Sequence, residues 1–331
     1  MLIVVMSARR CHIDTNDTSS GASSGWEPGF RALLRSGELS ERVQMASSHL
    51  QNCRLCPRRC SVNRLAGEVG FCQMGPEVVL YKPKVHFGEE PPISGNHGSG
   101  ILFFSGCTMA CVFCQNFPMS HWRVGHVLSP VTLARAMLFL QRCGVHNINL
   151  VTATQFLPRV LEALALAAAE GLSLPIVYNS NGYESPETLQ LLDGIVDVYL
   201  PDFKYADADL ALRYSATPDY PDVCVQALRA MYRQLGDLLL DEQGIARRGL
   251  LIRHLVLPGA YENTTRVLMT IARELSPRVH LSLMSQYLPI WEARRYPELR
   301  RRISREESRQ AMEILDRLHL DQGWTQEFEG E

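Results

Sequence analysis

Residues 101–119 read ILFFSGCTMACVFCQNFPM. An apolar run, Ile101 to Phe104, ends at a Ser-Gly pair. Cys107, Cys111 and Cys114 follow at once in the order C-x3-C-x2-C. A short continuous apolar run closed by a turn signal reads as a strand buried on both faces. The thiols therefore stand on a polar, Gly-bearing loop at its carboxyl end, where packing gives no reason to gather them. Soft thiolates in this number suit an iron–sulfur cluster. Four-iron clusters ordinarily take four Cys ligands. Three leave one iron open, as a catalytic zinc keeps an open coordination position. The competing reading is a zinc knuckle with His121 as fourth ligand, but C-x3-C-x2-C-x6-H is not a common zinc spacing.

Outward from this loop, apolar strand-like runs alternate with helical patterns, which implies βαβ units and a parallel sheet. The expected strands are Ile101–Phe104, Asn147–Val151, Leu174–Tyr178, Val196–Leu200, Leu250–Leu255 and Val279–Leu283. Ser129-Pro130 and Ser185-Pro186 are N-cap and N1-proline pairs. Ser304 to Glu307 is a capping box, and Val160 to Glu170 is an Ala/Leu helix ended by Gly171. Six such units predict an α/β fold, a partial (β/α)6 TIM-like barrel over residues 101–331. In such barrels the chemistry lies at the carboxyl ends of the strands, where the cysteine loop begins. Residues 51–100, Cys-rich and Gly/Pro-rich with little periodicity, read as a small docked N-terminal subdomain. Residues 1–50 read as a variable region, with Thr15 to Gly25 expected to be disordered.

The chain has 331 residues, 46% apolar and 21% charged, with a net charge of −2. This is an ordinary globular composition, and its charge argues against nucleic-acid binding through phosphate neutralisation. Met1 to Met6 is apolar for too few residues to form a signal-peptide core, and Arg9-Arg10 follows that run instead of preceding it. No stretch approaches the ~20 apolar residues of a membrane span. Ten cysteines then point to a reducing compartment, and a cytoplasmic location is expected. Basic residues gather at Arg54, Arg58, Arg59 and Arg64 and again between Arg294 and Arg305. They read either as solvated faces or as docking patches for an acidic partner.

A second cysteine group, Cys53, Cys56, Cys60 and Cys72, lies in CRLCPRRCSVNRLAGEVGFC. Four thiols in one short segment are more than packing needs. Zinc and an iron–sulfur cluster fit a tetrathiolate set equally well, and the spacing does not separate them. Cys11, Cys143 and Cys224 are isolated and read as structural.

The loop Ser105 to Met119 resembles the cluster loop of the radical S-adenosylmethionine (SAM) enzymes, and its flanks resemble proteins like the activating enzyme of pyruvate formate-lyase. The likeness runs from about Cys53 to Tyr287. It includes HFGEEPPISG (His86 to Gly95), NLVTATQFLP (Asn149 to Pro158), YNSNGYES (Tyr178 to Ser185), YLPDFKY (Tyr199 to Tyr205), RHLVLPG (Arg253 to Gly259) and LMSQYLP (Leu283 to Pro289). The Cys-rich segment resembles the N-terminal portion of one activating-enzyme-like subgroup.

The resemblance implies that Cys107, Cys111 and Cys114 hold a [4Fe-4S] cluster whose open iron is chelated by SAM. It places Thr152 and Thr154 at the methionyl amino group, Asn181 at the ribose and Asp202 and Lys204 around SAM. It sets Phe113 against the cluster or adenine. His254 or Arg253 faces the pocket, but not both on a regular strand. Ala153 and Gln155 depart from the subgroup's Thr-Pro-Thr-His. The implied reaction is reductive cleavage of SAM to a 5′-deoxyadenosyl radical that abstracts hydrogen from a protein or small-molecule substrate, a glycyl-radical enzyme among the former. The implied reductant is a low-potential donor such as flavodoxin or ferredoxin. The competing function is a non-catalytic iron–sulfur or zinc protein on the same fold, used for binding or electron transfer.

Overall fold

The computed structural model describes residues 26–325. Met1–Met6, Arg9-Arg10, Cys11 and the stretch expected to be disordered, Thr15 to Gly25, lie outside the described residues. The strands are β1 Val78–His86, β2 Ser99–Phe104, β3 His126–Leu128, β4 Ile148–Val151, β5 Ile176–Ser180, β6 Val198–Pro201, β7 Leu239–Leu240, β8 Ala246–Leu255, β9 His280–Met284 and β10 Gly323–Thr325. They pair in the order β10-β9-β8-β6-β5-β4-β2-β1-β3, with β7 on β8. From β2 to β10 every neighbour on this path is parallel, and β1 is antiparallel to both β2 and β3.

Each parallel strand reaches the next through a helical crossover, so the six expected βα units are present and the sheet curls as an open barrel. The central strands are mostly apolar because both faces are covered. All residues of β4, β5 and β6 are buried. The caps act as their residue types dictate: Ser129 accepts from Thr132 N–H, Ser185 from Thr188 N–H, and Ser304 with Glu307 closes a capping box. The Ala/Leu helix spans Leu157–Ala169.

The six strands read from the sequence are present within a few residues, with β1, β3, β7 and β10 in addition. Val78–His86 falls in the segment read as a separate subdomain, yet it is hydrogen-bonded along β2 and so belongs to the barrel sheet. Residues before it hold two helices, Gly29–Ser36 and Glu38–Ser48. Asp197 accepts the backbone N–H of both Gly29 (2.9 Å) and Ile176 (2.8 Å), tying that helical region to the barrel. Among the described residues, no helix is long and apolar enough to cross a membrane.

Candidate active site

Strand phase decides what faces the barrel interior. Val177, Val198, Leu200 and Leu251 form a small buried cluster with Ile93, while Tyr178, Tyr199 and Ile252 join the larger core shared with the crossover helices. Side chains alternate along a strand, so Asn179, Asp202 and Arg253 continue the inward face toward the carboxyl ends. They meet there. Arg253 donates to Asp202 (2.8 Å), to Asn179 (2.6 Å) and to Glu89 (3.2 Å), and Lys204 donates to the other oxygen of Asp202.

This network is largely buried. Burial opposes ionisation of Asp202, but Arg253 and Lys204 hold its carboxyl below the usual range. Burial pushes Glu89 up to about 7 despite Arg253. Asn149 is the register partner of Val177 and so shares the inward face. It is fully buried, and neither its amide nitrogen nor its oxygen has a partner; Glu90 Oε2 is likewise orphaned. Buried polar atoms of this kind call for water or a ligand.

The loop after β2 brings the three thiols to this mouth, all unpaired. Each sulfur meets hydrogen-bond donors. Cys107 accepts from Met109 N–H (3.4 Å) and Asn181 Nδ2 (3.4 Å), and Cys111 accepts from the Ser215 hydroxyl (3.0 Å). Cys114 lies 3.1 Å from Ser120 Oγ. Burial pushes the free thiols of Cys107 and Cys114 up to about 12 and about 11 and raises Cys111, with Lys204 working the other way at Cys111. Ligation must therefore displace a proton from each. Among the described residues no three His, Cys, Asp or Glu side chains meet around one ion. A four-iron cluster does not ask for that, because it spreads its thiolates over separate irons. The donor set fits such a cluster.

The segment after β4 is placed differently from what the resemblance implies for its side chains. Thr154 is buried, and its hydroxyl meets Glu184 (2.8 Å) and Tyr178 (2.9 Å). Burial pushes Glu184 up to about 8 against these hydrogen bonds. Thr152 has positive φ (59°), and its carbonyl accepts from Gln155 Nε2 (2.8 Å). The same Gln155 nitrogen donates to the carbonyls of Ser105 (2.9 Å) and Gly106 (3.1 Å) at the start of the cysteine loop.

Asn181 reaches the cysteine loop at Thr108 Oγ1 (3.0 Å) as well as at Cys107. Gly182 beside it has φ 77°, and a Cβ there would lie 2.3 Å from the Asp202 carbonyl, so the turn admits only glycine. Phe113 is buried edge-on to Tyr205 and Tyr287. His254 takes the outward phase of β8. Its Nδ1 meets Phe203 O (2.7 Å) and its Nε2 meets Thr264 Oγ1 (3.0 Å), and burial lowers it to about 4. That leaves no ring nitrogen for a cofactor. Arg253 is the residue that faces the site, and strand alternation was the signal that separates the two.

Cys53, Cys56, Cys60 and Cys72 are unpaired and partly exposed. They lie within electrostatic reach of one another. Cys224 is buried beneath Gly182, and Cys143 ends the helix Pro130–Arg142.

Residues 101–237 match the sequence profile of the radical SAM superfamily. An uncharacterized protein of Methanocaldococcus jannaschii is 30% identical over 290 residues, covering 86% of this chain and 80% of that protein. Residues 101–237 therefore form a radical SAM superfamily domain. Membership implies a [4Fe-4S] cluster and SAM. Among solved structures, Streptococcus suis SuiB bound to the precursor peptide SuiA is 13% identical at a TM-score of 0.47, over 66% of this chain and 46% of SuiB. The chain thus spans less than half of SuiB. A radical SAM methyltransferase from Sphaerobacter thermophilus is 13% identical at 0.46, over 90% of this chain and 92% of that one. A domain of pyruvate-formate lyase-activating enzyme from Bacteroides vulgatus is 14% identical at 0.34, over 60% and 92%.

Proposed function

We propose that this protein is a radical SAM enzyme in which Cys107, Cys111 and Cys114 hold the [4Fe-4S] cluster and the Asp202–Lys204–Arg253 network forms the wall facing bound SAM. The observation that supports this most directly is the meeting of three donor-bearing thiols, Cys111 buried and Cys107 and Cys114 half-buried, with that network at the carboxyl ends of the parallel strands. A cluster held by these thiols would supply the single electron for cleaving SAM, and SAM the hydrogen-abstracting group.

The chain's own residues bind, orient and shield. Ser215, Ser120 and Asn181 fix the sulfurs and tune the cluster through hydrogen bonds. Gln155 anchors the loop's first carbonyls. Lys204, near Cys111 and paired with Asp202, supplies positive charge beside the thiolates.

The substrate reading is a partner protein, the backbone glycine of a glycyl-radical enzyme being the first candidate on the strength of the seven family-like segments. The reductant reading is a flavodoxin or ferredoxin acting in the cytoplasm, supported by exposed Arg54, Arg59, Arg294, Arg295, Arg300 and Arg301 and by the abundance of cysteines. Arg58 is half-buried and Arg64 buried, so neither belongs to a docking patch. Electron paramagnetic resonance of the reconstituted, reduced protein tests the cofactor assignment. A four-iron signal that shifts on adding SAM is expected, and it should be absent from a Cys107→Ala, Cys111→Ala, Cys114→Ala variant. A signal unchanged by SAM contradicts the assignment.

A further inference from the structure

We propose that Cys53, Cys56, Cys60 and Cys72 hold a second, four-thiolate iron–sulfur cluster that passes electrons to the first. The inference rests on the assignment of Cys107, Cys111 and Cys114 above.

The segment from Gln51 to Glu77 contains one regular element among its residues, the three-residue turn Arg64–Ala66. Leu65, Val69 and Phe71 are exposed. A stretch with so little apolar core needs a staple, and its cysteines form no disulfide. The backbone folds back on itself at the thiols: Cys53 N–H donates to Val62 O (3.0 Å) and Ser61 N–H to Cys53 O (2.9 Å). Arg59, Ser61 and Gln73, each next to a cysteine of the group, hold positive φ. Non-glycine residues keep that conformation where surrounding structure demands it.

The sulfurs are already served by amides. Phe71 N–H donates to Cys60 Sγ (3.4 Å), and the backbone N–H groups of Arg58 and Met74 serve Cys56 and Cys72. An amide two residues on serves Cys107 and Cys114 in the same way, from Met109 and Asn116. Cys56 and Cys72 thus share one feature with Cys107 and Cys114, an amide two residues on.

The two groups are in contact. Arg58 Nε donates to Thr108 O (3.1 Å) inside the cysteine loop. Gly106, the residue before Cys107, is pressed by the other segment: a Cβ there would lie 3.0 Å from Cys72 O and 2.5 Å from the Met74 side chain. Four thiolates suit zinc or an iron–sulfur cluster, and the contact with the first cysteine loop favours the redox-active group. A cluster uses separate irons, and four cysteines serve either common cluster type. The step is an electron transfer in which no bond breaks. A low-potential one-electron donor reduces the second cluster, and that cluster is reoxidised as the first is reduced.

Iron, sulfide and zinc per chain are measured after anaerobic reconstitution, with electron paramagnetic resonance of the reduced protein. About six to eight irons are expected in the wild type, against about four for one cluster alone. The Cys107→Ala, Cys111→Ala, Cys114→Ala variant keeps two to four of them, roughly, with a reducible signal of its own. A Cys53→Ala, Cys56→Ala, Cys60→Ala, Cys72→Ala variant keeps only the first cluster. If that variant does not fold, the wild-type count and the triple variant decide. About four irons in the wild type and none in the triple variant overturns the proposal. So does one zinc per chain that disappears with the four cysteines. A triple variant that retains all wild-type iron overturns instead the assignment of the first site.

Discussion

The Gln155 side-chain amide donates to the carbonyl of Ser105 at 2.9 Å, joining the segment after β4 to the start of the cysteine loop. The same nitrogen holds Gly106 O and Thr152 O. Gln155→Ala leaves these carbonyls without that donor, which costs about 1–3 kcal/mol for a buried group. Urea unfolding should show that loss, with weaker cluster retention on gel filtration. Gln155→Glu should be worse, because it sets a carboxylate against carbonyl oxygens.

Asp202 lies between Arg253 and Lys204, all about one-sixth exposed. Removing one partner of a buried charge set leaves the others uncompensated, at about 3–5 kcal/mol. Asp202→Ala should lose stability on that scale in denaturant titrations of the cluster-free protein, and Asp202→Asn less.

Glu184 gives a pH dependence with a definite sign. Burial raises its carboxyl from 4.5 to about 8 in the folded chain. The folded state therefore binds the proton more tightly, so this contribution is full below the unfolded value and is lost as pH rises through about 8. Glu184→Gln removes the titration. The stability difference between wild type and variant, read from urea midpoints, should move against the wild type as pH rises from about 5 to 8.5.

Ser215 donates to Cys111 Sγ at 3.0 Å. Hydrogen bonds to cluster sulfurs favour the reduced form, so Ser215→Ala should lower the cluster's reduction potential by on the order of tens of millivolts. Redox titration reads this directly. An unchanged or raised potential removes Ser215 from the tuning role.

The parallel core was legible because strands covered on both faces are mostly apolar, as in Val198–Pro201. The cysteine loop was legible because three thiols so closely spaced on a turn serve little besides metal ligation. β1 was not, since its run VVLYKPKVH carries two lysines and a proline, and only part of it is buried. Its register against β2 breaks between Leu80 and Pro83, where a proline is tolerated. Choosing Arg253 over His254 needed the phase of β8, which a run of apolar residues does not give. Gln155 read as a departure from a motif. Its use as a clamp depends on two carbonyls roughly fifty positions earlier in the chain, which only the fold brings near.

Reductive cleavage of SAM is the most direct test of the central claim. The protein is reconstituted anaerobically and given dithionite and SAM, and 5′-deoxyadenosine is measured by chromatography. The account predicts product from the wild type and none from the Cys107→Ala, Cys111→Ala, Cys114→Ala variant. A wild type that carries an intact SAM-binding four-iron cluster yet forms no 5′-deoxyadenosine, with or without a candidate partner protein, would contradict it.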